Sequence, residues 1–257
     1  MKVSSIPLPP QPFIDNVGGG NFSKTGQHLF ELLRDRCALK PNNKIFDLGS
    51  GCGRLAIPLT QYLDEDGEYD GLDIVLPMVE WCRTNISSRF PRFRFHHTNL
   101  KNTAYNNNNN GADSKNYTFP FADGAFDVVV ATSVFTHLIP QSADRYAKEV
   151  ARVLKDDGCA LLTFFLMTED YDKNRAAGLV KFDFTDRHSG HAFLVKDNPE
   201  AAVGYDEHHA LPMLRSAGLS VDAISYGSWS NHLGCWSFQD VILVSKAQIS
   251  RPPYPPD

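Results

Sequence analysis

The segment Lys44-Ile-Phe-Asp-Leu-Gly-Ser-Gly-Cys-Gly-Arg54 narrows the possible folds more than any other. A short apolar run, Lys44–Leu48, reads as a strand. Glycines follow at 49, 51 and 53, and Arg54–Leu63 then reads as a helix. Glycine lets the backbone turn tightly and approach a ligand closely. The helix start presents free N–H groups to a polar or anionic group. Pro58 removes an N–H early in that helix, so a local kink is expected.

A strand–turn–helix unit of this kind needs further strands beside it. Candidates follow at Tyr69–Ile74, Arg92–His96, Phe126–Thr132, Ala160–Leu166, Ser220–Tyr226 and Phe238–Ser245. Helical patterns lie between them at Leu76–Ser88, Ala143–Leu154 and Asp206–Ala217, with another ahead of the first strand at Ser23–Leu39. The alternation predicts a doubly wound α/β fold, a mostly parallel sheet of seven strands with helices on both faces. The last connection breaks the rule. Only 11 residues, Gly227–Ser237, separate the final two strands. A parallel crossover needs a dozen or more residues, usually including a helix, so the chain should end in an antiparallel hairpin.

The remaining stretches are punctuation or insertions. The first twenty residues are rich in Pro and Gly and show no periodic pattern. Asn99–Thr118 carries five consecutive asparagines, Asn106–Asn110, and reads as a polar loop that buries little. Thr168–Tyr205 mixes aromatics (Tyr171, Phe182, Phe184, Phe193) with charges after the fifth strand. A long insertion there suits a lid or substrate wall, or a plain surface excursion. One domain spanning 1–257 is expected, with 1–40 as an N-terminal flap and helix and 168–205 as a substrate-covering insertion.

Composition excludes several classes of function. The 257 residues carry a net charge of −5 and no long basic tract, which argues against nucleic acid or an anionic membrane as partner. The opening MKVSSIPLPPQPF has prolines where a secretion signal needs an apolar run. Apolar stretches such as Cys159–Met167 fall far short of the ~18 residues that span a bilayer. The five cysteines are scattered without a Cys-x-x-Cys, so neither a disulfide framework nor a cysteine zinc site is indicated. No set of histidines and carboxylates has metal-ligand spacing. A cytoplasmic, reducing setting follows, and the sequons at Asn21, Asn85 and Asn116 read as chance.

Asp73 ends the second strand candidate, 20 residues beyond Gly53. An acid so placed accepts bonds from both hydroxyls of a ribose. The dinucleotide fingerprint Gly-x-Gly-x-x-Gly would require glycine at 54, where Arg54 stands. The observed Gly-x-Gly-x-Gly, with Asp47 just before it, resembles the first motif of class I S-adenosylmethionine-dependent methyltransferases. Phe119–Val134 and Val153–Leu162 resemble later motifs of that family, and an antiparallel seventh strand inserted into the sheet is its usual ending. The resemblance covers roughly residues 40–166 and the final hairpin. The Gly-rich start, the Ser133-Val-Phe-Thr-His137 run and the ending Phe238-Gln-Asp-Val-Ile-Leu-Val244 resemble, more narrowly, a bacterial group often found near polysaccharide genes.

The resemblance implies S-adenosylmethionine as cofactor, S-adenosylhomocysteine as product, and a site built from Asp47, Gly49, Ser50, Gly51, Cys52, Gly53, Asp73, Ile74, Asn99, Leu100 and Ser133. Asn99 stands where the family often has an acid near the adenine. His137 follows the fourth strand, whose C-terminal end faces the transferable methyl group in this fold. A histidine there suits a general base taking the proton of an acceptor hydroxyl; a helix-start histidine bonded to backbone is the alternative.

Two decoys are set aside. Gly18–Thr25 nearly spells a phosphate-binding loop but has Ser23 in place of glycine and no preceding strand. Seven further histidines (His96, His97, His188, His191, His208, His209, His232) read as solvated or structural, with His191 or His232 as a substrate contact the alternative, and Trp229 and Trp236 read as packing residues, with an aromatic wall for a sugar ring the alternative. The expected activity is O-methylation of a small molecule or glycan, with no nucleic-acid or membrane partner. An NAD(P)-dependent oxidoreductase and a non-catalytic cofactor-binding protein of the same fold are the alternatives. The acceptor and the oligomeric state are not legible in the sequence.

Overall fold

The computed structural model describes residues 6–106 and 110–246. Its main sheet has seven strands: β1 Lys44–Leu48, β2 Glu68–Asp73, β3 Phe93–His97, β4 Phe126–Ala131, β5 Leu154–Phe164, β10 Ser220–Ser225 and β11 Asp240–Ser245. Their spatial order is β10-β11-β5-β4-β1-β2-β3. β3, β2, β1, β4 and β5 run parallel, with β1 between β2 (Ile45 opposite Tyr69) and β4 (Ile45 opposite Val128). β11 lies antiparallel to both β5 and β10, inserted between them. The terminal hairpin is thus as the short connection requires. The inner strands are near-continuous apolar runs because both faces of the sheet are covered.

The helices are α1 Gln11–Asn16, α2 Phe22–Arg36, α3 Ala56–Leu59, α4 Leu76–Cys82, α5 Pro140–Val153, α6 Glu169–Ala176 and α7 Glu207–Ser216. One core gathers Phe46, Leu48, Val129 and Leu162 with α5 and α7. The other gathers Ile45, Tyr69, Val128 and Leu161 with α2, α3 and α4. Alternate residues of each strand feed opposite faces, the period-2 pleat expressed as two cores.

The structure departs from the sequence reading in four places. The first crossover helix is four residues, not the ten of Arg54–Leu63. Pro58 has no N–H to return to the Arg54 carbonyl, and that carbonyl packs against α2 so closely that a Cβ on Gly26 would lie 2.3 Å from it. The unpatterned N-terminus holds α1, opened by Pro10 and Pro12, whose fixed φ suits a first helical turn. Strand β5 stops at Phe164; Leu166 leaves for a second sheet, its N–H donating to Asp240 Oδ2 at 2.6 Å. The loop after β3 is not a polar excursion. Leu100 and Asn102 are buried, and the Asn102 Oδ1 accepts the N–H groups of Ala104 and Tyr105, both at 3.0 Å. Asn107–Asn109 of the asparagine run lie outside the described residues.

The 168–205 insertion and the residues flanking it build a second small sheet: β6 Leu166–Met167, β7 Asp186–His188, β8 His191–Phe193 and β9 Val203–Asp206, ordered β6-β9-β8-β7. Beneath it Phe165, Tyr171, Phe184 and Trp229 form a third core. Asp240 ties this unit to the main sheet, accepting from the N–H groups of Leu166 and Gly227 and from Trp229 Nε1 at 2.8 Å. Among the described residues no helix is long and apolar enough to cross a membrane.

Candidate cofactor and acceptor site

The glycine turn joins the ends of β1 and β2: the N–H groups of Gly49 and Ser50 both donate to the Leu72 carbonyl, at 2.8 and 3.2 Å. Gly49, Gly51 and Gly53 all have positive φ, where a side chain would be strained. Each also allows a separate close approach. A Cβ would meet Val134 at Gly49, Val17 at Gly51 and Ile86 at Gly53, at 2.6–2.7 Å. The turn therefore draws in the loop after β4, the N-terminal arm and the segment following α4 together.

Asp73 closes the turn from the next strand. Its Oδ2 accepts the Gly51 N–H at 2.7 Å and its Oδ1 the Val75 N–H at 2.8 Å. Burial raises its pKa against these bonds. Each oxygen keeps a lone pair for a further donor. Asp47, 3% exposed, accepts from the Tyr69 hydroxyl; burial pushes its carboxyl up to about 7.

These groups open onto a cavity of about 880 Å³ along the C-terminal ends of the strands. That is near the upper end of the size range for ligand pockets, leaving room for a second ligand beside a first. Asp47, Gly49, Ser50, Gly51, Asp73, Ile74, Leu100, Ser133 and His137 line it, nine of the residues singled out in the sequence. Three others do not. Cys52 is buried among Ile14, Phe22 and Met78, and Gly53 faces Ile86 and Cys82. Asn99 is exposed, its Oδ1 accepting from Asn106 Nδ2 at 3.0 Å, while Thr98 and Leu100 line the cavity. An extended chain sends alternate side chains to opposite sides, so 98 and 100 face inward and 99 outward.

His137 sits in a 3-10 turn after β4, within reach of two groups that sequence spacing does not connect. Its Nδ1 is 2.9 Å from the Glu200 carbonyl, so that nitrogen carries the proton. Its Nε2 is 3.1 Å from the Tyr105 hydroxyl, which then donates. Burial lowers the imidazole pKa, favouring the neutral ring. Glu200 in turn holds the loop carrying Tyr105: its carboxylate accepts from the Thr103 N–H at 2.6 Å and hydroxyl at 2.8 Å. Tyr105 lay in the stretch read as a polar loop. Its signal was one aromatic residue beside the asparagine run, too weak to single out.

A second network was also not legible. Ser133 has φ +57°, and its N–H donates to Thr163 Oγ1 at 2.8 Å. The Thr163 and Ser133 hydroxyls both donate to Gln239 Oε1, at 2.6 and 3.2 Å. The ends of β4 and β5 and the start of β11 are thereby fixed together at the cavity wall. The near-match to a phosphate-binding loop resolves as a turn between helices: Gly18–Gly20 follow α1, not a strand, and Asn21 caps α2 by accepting the Lys24 N–H.

The residues present fit a nucleoside cofactor with an amino-acid tail. Asp73 retains lone pairs suited to vicinal hydroxyls. The turn glycines leave the backbone bare. The Ser50 hydroxyl and Arg54 Nε are buried beside the turn without a hydrogen-bond partner among the described residues. Comparison with known proteins agrees. The methyltransferase-domain family matches residues 46–162. Mouse (Mus musculus) arsenite methyltransferase is 30% identical over 117 residues, 46% of this chain and 29% of that protein. The chain thus matches less than a third of the length of that curated relative. Two solved structures share the fold over most of both chains. The PH0226 protein of Pyrococcus horikoshii has a TM-score of 0.59 at 16% identity, covering 89% of this chain and 92% of its own. A TehB-like S-adenosylmethionine-dependent methyltransferase of Corynebacterium glutamicum has a TM-score of 0.52 at 16% identity, covering 91% and 92%. Residues 46–162, holding the glycine turn, Asp73 and His137, are therefore the stretch of this chain that matches the methyltransferase-domain family.

Proposed function

We propose that this protein transfers a methyl group from S-adenosylmethionine to a hydroxyl of a small molecule or glycan. The observation that carries the reading is the His137 imidazole, its Nε2 facing the Tyr105 hydroxyl, in the same cavity as Asp73 and the glycine turn. The cofactor supplies an electrophilic methyl on a sulfonium, so the protein need not activate a leaving group. Its tasks are alignment, exclusion of water and removal of the acceptor's proton. Holding the reacting atoms ~3–3.5 Å apart and in line is worth several kcal/mol.

The chain's own residues divide these tasks. Asp73 accepts from the ribose hydroxyls, and the glycine turn gives the backbone room beside the amino-acid tail. The Tyr105 oxygen keeps a lone pair when its proton points at His137 Nε2. It can therefore receive the acceptor's proton while passing its own to the histidine, a general-base relay worth about 10²–10⁴-fold. Phe165, Phe182 and Leu194, from β5's end and the insertion, supply apolar wall. In this reading residues 168–205 cover the acceptor, and 6–40, the described part of the N-terminal flap and helix, close over the cofactor. A cytoplasmic setting without nucleic-acid or membrane partners fits the composition. The test is a panel of hydroxylated acceptors, including sugars, incubated with S-adenosylmethionine and assayed for S-adenosylhomocysteine. Turnover confined to amines or thiols would overturn the hydroxyl assignment.

A further inference from the structure

Gln239 stands immediately before β11 and lines the cavity. Its amide oxygen is fully used. Such an oxygen has two lone pairs. One takes the Thr163 hydroxyl at 2.6 Å and the other the Ser133 hydroxyl at 3.2 Å. Thr163 Oγ1 itself accepts the Ser133 N–H, so its own proton is left to point at Gln239. These bonds set the orientation of the carboxamide. Its Nε2 then carries two N–H groups that meet no partner among the described residues. What Gln239 has left is donation only.

The backbone beneath it is braced. The Ser237 and Phe238 carbonyls accept the N–H groups of Ser228 and Trp229, at 2.9 and 3.1 Å. Asp240 accepts from Leu166, Gly227 and Trp229. In the main sheet β5 and β4 lie between β11 and β1, so Gln239 is across the cavity mouth from the glycine turn and Asp73. Three rings stand on its side of the lining. Phe165, Phe182 and Phe238 pack edge to face, with centres 5.2, 5.6 and 6.3 Å apart. Phe165 is buried, while Phe238 is 42% exposed and has ring surface to cover.

The lining acids among the described residues are Asp47 and Asp73, at the ends of β1 and β2; none stands beside the rings. A sugar brings several hydroxyl protons that need acceptors, and the Gln239 oxygen is filled. A phenol brings one proton, which the reaction removes, and a flat apolar face. A second oxygen on its ring is what a donor-only amide can meet.

We infer that Gln239 is the specificity donor of an acceptor subsite for phenols that carry a second oxygen, their ring held against Phe165, Phe182 and Phe238; this rests on the hydroxyl reading above. The phenol oxygen bonds to the methyl carbon as the sulfur regains the pair of the breaking S–C bond, and the phenolic proton leaves through Tyr105. Once the substrate ring has displaced water, the Gln239 N–H groups are met by its second oxygen or left unpaired. An unpaired buried donor is the costly outcome, and that cost is the selectivity.

The test compares kcat/KM for phenol with that for 2-, 3- and 4-hydroxyacetophenone, whose carbonyl accepts and does not donate. In the parent protein at least one of the three should exceed phenol by about 10–100-fold. Gln239→Glu keeps an oxygen for Thr163 and Ser133 and replaces the donor with an acceptor; Gln239→Met removes both. In each the ratio should collapse to about one or below. Circular dichroism checks that each variant is folded. A ratio that persists in the folded variants, with or without a parallel loss on both substrates, would overturn the inference and leave Gln239 as a brace between strand ends. Turnover of sugars without phenols would overturn the acceptor class and spare the hydroxyl reading. Turnover of amines or thiols alone would overturn that reading, and the inference with it.

Discussion

The Tyr105 hydroxyl lies 3.1 Å from His137 Nε2, the nitrogen left to accept once Nδ1 has met the Glu200 carbonyl at 2.9 Å. Three segments far apart in sequence thus converge on one imidazole. Its tautomer is set by a main-chain carbonyl of the insertion, and its open face is guarded by a tyrosine from the loop after β3.

That arrangement makes the proton relay testable at both ends. His137→Gln and Tyr105→Phe are each expected to lower kcat by roughly 10–100-fold or more, with the Kd for S-adenosylhomocysteine within about threefold of the parent. Steady-state kinetics with any active hydroxyl acceptor, alongside calorimetry, reads both quantities. Undiminished turnover in His137→Gln would retire it as the base. Faster turnover in Tyr105→Phe would mean the tyrosine blocks the histidine.

The pH profile follows from the same burial. Desolvation lowers the His137 pKa from the ordinary 6.5. A general base works in its deprotonated form, so activity should persist below pH 6.5 before falling. An acid limb centred above 6.5 in the kcat profile would contradict a buried, neutral base.

Asp73 holds two backbone N–H groups and faces the cavity. Asp73→Ala should weaken S-adenosylhomocysteine binding by about 30-fold, the loss of roughly 2 kcal/mol of charge-assisted bonding. It should also lower the melting temperature of the free protein, because Gly51 and Val75 lose an acceptor. Unchanged affinity would remove the ribose assignment.

Asp47 predicts a pH dependence of stability. Its carboxyl is pushed up to about 7 in the folded protein, from an ordinary 3.8. Between those values the folded state holds a proton that the unfolded chain has released. Stability therefore falls as pH rises through this window, and the full cost is present above about pH 7. Asp47→Asn removes the ionisation and keeps an oxygen for the Tyr69 hydroxyl. Its melting temperature relative to the parent should rise by several degrees from pH 5 to pH 8. A constant difference across that range would show that Asp47 does not titrate there.

Trp229 is fully buried, donates to Asp240, and packs against Tyr171 with ring centres 4.9 Å apart. Trp229→Phe removes the donor and part of the core, a cost of about 2 kcal/mol. For a chain of this size the melting temperature should drop by roughly 4–8 °C. Affinity for S-adenosylhomocysteine should barely change, because the loss falls on the insertion's anchor. Scanning calorimetry and titration separate the two effects.

The strands, their alternation with helices, the glycine turn and Asp73 were legible in the sequence. Each is written in contiguous residues: apolar runs of β1 and β4, turn glycines with their φ, an acid at a strand end. The antiparallel hairpin was legible too, because 11 residues cannot make a crossover. The length of α3 was not. Pro58 announced a disturbance, but the packing of α2 against the Arg54 carbonyl through Gly26 exists only once both helices are in place. Asn99 went outward and Thr98 and Leu100 inward for a similar reason, since chain direction at the end of β3 decides which of three adjacent residues meets the cavity. Tyr105, Glu200, Thr163 and Gln239 carry no local pattern. They become partners because strand order brings the ends of β4, β5 and β11 to one edge and folds two insertions over it. Local backbone preference and hydrophobic period are properties of short stretches, so the sequence determines them alone. Which side chains share a proton or close a wall depends on distances between segments tens of residues apart, and only the tertiary structure decides those.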